Sequence, residues 1–186
     1  MIKRILLGVA VLLIAVVIFV AGRPSAYRIT RTATIPAPAA EVFAQVNDFH
    51  KWEAWSPWAK LDPAMKTTYE GSSSGAGAIY SWTGNDQVGA GRMKIAESRT
   101  NELVRIDLEF IKPFASTSVT EFTFKPAGNQ TELTWVMSGN NNFMARAFTL
   151  FVNMDKMIGA DFEKGLAQLR TATETQAKSQ PSTPSH

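Results

Sequence analysis

Two hydrophobic periods divide the chain, and together they bound what it can fold into. From about Tyr27 to Met137 apolar residues recur at alternate positions; beyond Asn142 they recur at helical spacing. The two-residue period is plainest in Leu103–Phe110. There Val104, Ile106, Leu108 and Phe110 point one way, and Arg105, Asp107 and Glu109 the other. Tyr27–Ile35 is rich in β-branched residues and reads as a strand, stopped by Pro36 and Pro38. Further strands are predicted at Met65–Glu70, Ala78–Thr83, Gln87–Glu97 and Ser116–Lys125. The last has a hairpin partner carrying Leu133, Trp135 and Met137. Gly71–Gly77, Gly84-Asn85-Asp86 and Ala127-Gly128-Asn129 are the turns between them, and Gly89 and Gly91 predict a bulge or a close backbone approach. Strands joined so closely make an antiparallel meander.

Helices flank this meander. Pro38-Ala39-Ala40-Glu41 opens a short one, with Val42, Phe43 and Val46 on its apolar face. Asp48–Trp58 is a second short helical or irregular piece bearing Phe49, Trp52, Trp55 and Trp58. After Gly139–Asn142, one stripe holds Phe143, Ala147, Phe148, Phe151 and Val152. A longer stripe holds Met154, Met157, Ile158, Phe162, Leu166 and Leu169. One antiparallel sheet covered on one face by a long C-terminal helix is an α+β arrangement.

The N-terminal run from Ile5 to Gly22 is unbroken in its apolar character. About eighteen residues at helical rise span roughly 27 Å, enough for a bilayer core. A cleaved secretory signal is the competing reading. It needs a shorter apolar region and an A-x-A-like site, whereas Phe19-Val20-Ala21-Gly22 precedes Arg23-Pro24. Residues 1–4 are therefore read as a charged flank, 5–22 as a transmembrane anchor, 23–26 as a linker, 27–173 as the folded domain and 174–186 as a disordered, polar tail. Lys3 and Arg4 before the span nearly balance Arg23, Arg28 and Arg31 after it. The order of charge then apolar run favours a cytoplasmic N-terminus and a domain on the extracytoplasmic, periplasmic side.

Composition excludes several functions. With no cysteine there is no disulfide scaffold, thiolate metal site or Cys nucleophile. The net charge of +3 includes Lys3 and Arg4 of the flank, so the domain is almost neutral and lacks a nucleic-acid binder's basic patch. His50, the one histidine of the domain, has no catalytic partner at any suggestive spacing, and no metal-ligand spacing or cofactor motif occurs. Asp107 and Glu109 share a strand face with Arg105 and read as a solvated surface. Gly75-Ala-Gly77 and Gly89-Ala-Gly91 do not continue into a phosphate-binding loop.

The order of elements and several local motifs resemble the START-like, or polyketide cyclase/dehydrase and lipid-transport (SRPBCC), superfamily. Ile35-Pro36-Ala37-Pro38-Ala39-Ala40-Glu41-Val42-Phe43 is similar to its first strand running into its first helix. Phe49–Trp58 resembles the aromatic segment closing its second helix. Gly75–Gly77 with Trp82, and Gly89-Ala-Gly91-Arg92-Met93, resemble its glycine-marked middle strands; Gly159–Leu166 resembles its C-terminal helix. The resemblance covers Tyr27 to Thr173. It implies a helix-grip fold, a curved sheet gripping the C-terminal helix with an apolar cavity between them, and a hydrophobic small molecule or lipid as ligand.

On that fold Trp82, Phe110, Phe122, Met154, Met157 and Phe162 should face the gap between sheet and helix as candidate cavity residues, with core filling as the bland alternative. Trp135, Leu133, Ile106, Val104 and Met93 read as core. Phe143, Phe148 and Phe151 form a candidate gate, or else a helix packed over the sheet's rim. Trp52, Trp55 and Trp58 read as a structural lid. The function expected is membrane-anchored binding of a hydrophobic ligand. One alternative is a cyclase-type enzyme using Tyr80, Glu121 or Arg92 inside the cavity. Another is an interaction module of an envelope complex, presenting Trp55, Trp58, Phe143 and Phe148 to a protein.

Overall fold

The structure, a computed structural model, describes residues 1–179. Its elements are α1 (Ile2–Ala21), β1 (Ala26–Ile35), α2 (Ala39–Val46), a 3-10 helix (Phe49–Ala54), β2 (Lys66–Gly71), β3 (Ala78–Thr83), β4 (Ala90–Arg99), β5 (Leu103–Lys112), β6 (Ser116–Ala127), β7 (Gln130–Asn140), α3 (Phe143–Phe148) and α4 (Met154–Ser179). The seven strands form one antiparallel sheet in the order β1-β7-β6-β5-β4-β3-β2. After β1 the chain crosses to the opposite edge through α2 and the 3-10 helix, then returns strand by strand until β7 pairs with β1. This is the α+β architecture expected from the two periods, and the helix-grip form of it that the family resemblance implied.

Local details differ from the sequence reading where long-range pairing decides them. The third meander strand begins at Ala90, not Gln87, because Gly84 and Gly89 close the preceding turn through Gly84 N–H donating to the Gly89 carbonyl at 2.8 Å. Its register shifts at Ala90/Gly91 and again at Ile95/Glu97. The helix expected across Phe143–Val152 ends at Phe148, and Asn153 starts α4 by accepting from Lys156 N–H at 3.0 Å. At the other end α4 continues past Thr173 to Ser179, so 174–179 is helix and not disordered tail; the remainder of that tail lies outside the described residues.

Two surfaces of the sheet are chemically distinct. The outer face carries cross-strand charges, including Arg105 bonded to Glu121 at 2.7 Å. The inner face carries the core, covered by α2, the 3-10 helix and α4. Val42, Val46, Phe49 and Trp55 are buried there. The Trp52 indole N–H donates to the Val46 carbonyl at 2.9 Å, which ties the 3-10 helix to α2 and satisfies a buried donor.

The long helix is held to β1 by charge as well as packing. Arg31 reaches from the inner face of β1 across Gly159, donating to Asp155 and Glu163 at 3.1 and 2.7 Å. A Cβ at position 159 would sit 1.8 Å from the guanidinium, so glycine there leaves it room. These bonds hold the Asp155 carboxyl below the usual aspartate range.

The N-terminal helix is the one helix among the described residues long and apolar enough to cross a membrane, with a mean hydropathy of 2.9. Only Val20 in it is buried. Below that last turn it projects from the domain.

Candidate functional site

Strand register sorts the inner face into rows that cross the sheet, and the rows are not equally covered. One row runs Arg31–Trp135–Phe122–Val104, and the next Ile29–Met137–Thr120–Ile106–Ile95. Apart from Arg31, every member of these two rows is buried. Helix α4 and the tryptophans close the first. Phe162 stacks face to face on Trp135 at 4.0 Å, Phe122 lies 4.8 Å from the same indole, and Trp55 and Trp58 meet it edge-on at 5.9 and 6.0 Å. Contacts of this kind each add about 0.5–1.5 kcal/mol beyond burial. Rings fill this end.

The following row crosses all seven strands: Tyr27, Gly139, Ser118, Leu108, Met93, Tyr80 and Tyr69. Only Ser118 in it is buried; the others are half-buried, and Tyr69 is exposed. Beyond it lies a shorter row of Phe110, Gly91 and Trp82. These side chains form an open, largely apolar trough on the concave face. Helix α4 reaches its border with Met154 and Ile158, which continue the Phe162 face toward the helix N-terminus at four-residue spacing.

The trough has one polar centre. The Tyr27 and Ser118 hydroxyls are 2.7 Å apart and hydrogen-bonded. Gly139 permits the contact, since a Cβ there would stand 2.9 Å from the Tyr27 hydroxyl and 3.1 Å from its ring. Gly91 does the same for Trp82, whose ring lies 2.4 Å from where a Cβ would be; the indole N–H is anchored on the Val88 carbonyl at 3.0 Å. Tyr80 stacks between Tyr69 and Trp82 at 5.4 and 6.0 Å, and burial pushes its phenol up to about 12. Across physiological pH it is a neutral donor.

A family model described as polyketide cyclase / dehydrase and lipid transport matches residues 26–174. The chain belongs to this family. Solved structures of the same fold include protein MLL2253 from Mesorhizobium loti, with a TM-score of 0.59 at 16% identity over 80% of this chain and 98% of its own. Protein CV1439 from Chromobacterium violaceum gives 0.57 at 15% over 82% and 99%. Ara h 8.0201 gives 0.55 at 13% over 83% and 99%. At these identities they establish the fold alone. Among curated proteins, none matches the chain.

Within this member of the cyclase/dehydrase and lipid-transport family, the six expected cavity residues fall into three places. Trp82 and Phe110 meet edge-on at 6.1 Å in the trough. Phe122 and Phe162 lie in the filled stack around Trp135, with 0% and 1% exposure. Met154 and Met157 occupy the first turns of α4, Met157 half-exposed. The expected gate residues Phe143, Phe148 and Phe151 are all exposed on α3 and the turn after it. Tyr80 faces inward, but Arg92 and Glu121 lie on the outer sheet face, so the three candidate enzymatic groups do not converge. Trp55 is 1% exposed and cannot join a surface patch with Phe143 and Phe148.

Depressions are also present elsewhere. One of about 490 Å³ lies on the outer face among Arg92, Lys94, Asp107 and Glu109, and one of about 700 Å³ runs between Gln45, Lys60 and the α4 residues Lys164 and Gln168. Both mix charged and amide groups with apolar ones, Leu108 and Val119 in the first and Ala54, Ala167 and Ala172 in the second. His50 stacks on Tyr69 at 4.2 Å and bonds Asp48 at 3.0 Å on the surface. Among the described residues no cluster of three metal-ligating side chains occurs.

Sequence reasoning missed the Tyr27–Ser118 pair. A serine at an inner-face position, and a glycine at Gly139 inside a strand, were the signals, but only the register places them opposite Tyr27.

Proposed function

We propose that this protein is a membrane-anchored receptor for a hydrophobic, lipid-derived molecule, bound in the trough on the concave face of the sheet. The observation that carries this reading is the unequal covering of that face. Rows behind the trough are sealed by rings, while Met93, Leu108, Phe110, Tyr80 and Trp82 leave apolar area in contact with water. Covering it would be favourable by about 25 cal/mol per Å². Tyr27 and Ser118 supply the polar contact that orients a headgroup or oxygenated end, as small-molecule sites commonly do. Phe122 and Phe162 form the closed floor, Met154 and Met157 the adaptable border, and Phe143, Phe148 and Phe151 the gate beside the entrance. Helix α1 is the anchor, and the family match to lipid transport supports the ligand class.

Native mass spectrometry of the full chain, released from detergent or nanodiscs, tests the reading. A co-purified hydrophobic molecule is expected, lost in Leu108→Trp, which fills the trough without disturbing the stack behind it. A chain that carries no ligand and takes up none from mixed membrane lipids would sink it.

A further inference from the structure

Antiparallel pairing gives the sheet two ends, and exposed apolar side chains collect at one. At that end β1 begins, β7 leaves for α3, and the β5–β6 hairpin turns. It is also where α1 arrives, through a four-residue link from Gly22 to Ser25. Here Ile111, Phe114, Phe143, Met144, Phe148 and Phe151 are exposed, Phe114 by 72%, Met144 by 68% and Phe151 by 88%. At the opposite end, in the connections at 72–77, 100–102 and 128–129, no large apolar side chain is exposed among the described residues. Scattered exposed hydrophobics are ordinary; six on adjoining segments at one end are not.

The join between α1 and the domain fixes which way this end faces. Arg146 on α3 donates to the carbonyls of Ala21 and Arg23 at 2.9 and 3.3 Å. It thereby satisfies carbonyls that the helix terminus leaves open and places a cation at the negative end of the helix dipole. Val20 is buried at the same contact, with 1% exposure. The apolar side chains of α3 therefore lie beside the last turn of the helix that reads as the membrane span.

We propose that this end of the sheet docks on the bilayer, with the β5–β6 tip at Ile111 and Phe114 and the α3 segment from Phe143 to Phe151 inserted at the interface on either side of α1. The occupant is the lipid surface in which α1 itself is embedded. Continuity with the span makes it so: a rim held against the helix end meets that surface before anything else. Lys112 beside the hairpin tip and Arg23 after the helix suit anionic headgroups. The trough opens toward the same end through Phe110 and Trp82, so a ligand passes between bilayer and trough without crossing water. This inference rests on the reading of α1 as a membrane anchor.

The absence of cysteine allows a direct test. Single-cysteine forms of the full chain at Leu12, Phe114, Phe151 and Asn129 are labelled with an environment-sensitive dye. They are then placed in vesicles of phosphatidylcholine and phosphatidylglycerol, with and without brominated chains. Docking requires blue-shifted emission and bromine quenching at 114 and 151, as at 12, and aqueous, unquenched emission at 129. Quenching at 12 with aqueous emission at 114 and 151 overturns docking while the anchor stands. No quenching even at 12 removes the anchor, and docking with it. A blue shift at 114 and 151 without bromine quenching means protein covers the rim, which also overturns the lipid assignment.

Discussion

The two halves of the concave face are built on the same strands, yet they answer to different demands. Behind the Ile29–Ile95 row, α4, α2 and the 3-10 helix press rings onto rings and bury them. Ahead of it the same strands carry Leu108, Met93 and Tyr80 only partly covered, with Phe49 of the 3-10 helix reaching Tyr80 at 5.9 Å. The difference lies in what covers the residues, since apolar types occur in both halves. Helix α4 contacts β1, α2 and the 3-10 helix, and its sheet-facing side chains reach no farther toward the open end than Ile158 and Met154. Stability is thereby concentrated in one half and an available apolar surface in the other.

That contrast can be broken most directly at the stack. Trp135→Ala should cost about 3–5 kcal/mol in denaturant unfolding, because its ring is shared by Phe122, Phe162, Trp55 and Trp58 and the space cannot collapse. Overpacking the same half comes next. A Cβ at Gly165 would stand 2.9 Å from the Trp135 ring and 3.1 Å from Pro57, so Gly165→Ala should lose about 1–3 kcal/mol despite alanine's better helix propensity. In the open half, Leu108→Ala should cost only about 1–2 kcal/mol, since the side chain is half-buried, and should weaken ligand retention more than stability. Equal costs at Trp135 and Leu108 would erase the distinction between the halves.

Titration sharpens it further. The Tyr80 phenol, raised by burial to about 12, keeps its proton where an exposed tyrosine loses it. Its contribution to stability is complete below the ordinary tyrosine pKa and declines as pH rises toward the folded value. Alkaline difference spectroscopy of the parent and Tyr80→Phe should show one late-titrating phenol removed by the substitution. The smallest effect is at the α4 clamp. Asp155 is held below its ordinary range by Arg31, so its contribution is present above the unfolded value and lost as pH falls through the folded one. Arg31→Gln should flatten that acid limb of the stability curve. An unchanged limb would show that the exposed pair does nothing measurable for the helix.

Much of this molecule was legible in order and period. Alternation in Leu103–Phe110 and the 3.6-residue stripe from Met154 to Leu169 are local consequences of which side chains must leave water, and they suffice for an α+β sheet with a covering helix. The long apolar helix at the N-terminus is equally local, being a matter of length and hydropathy. The six cavity candidates show where local reasoning stops. Alternation put Trp82, Phe110 and Phe122 on the inner face, and that is where they lie. It could not say that Phe122 falls in a row sealed by Trp135 and Phe162, or that Trp82 falls in one left open. Membership of a row depends on the pairing register between strands far apart in the chain, and covering depends on where α4 crosses. Which faces are apolar can be read from the chain alone, because that is written residue by residue. Which part of the apolar face is sealed as core and which is left open follows from the tertiary packing, because burial is a property of what arrives opposite a side chain and not of the side chain alone.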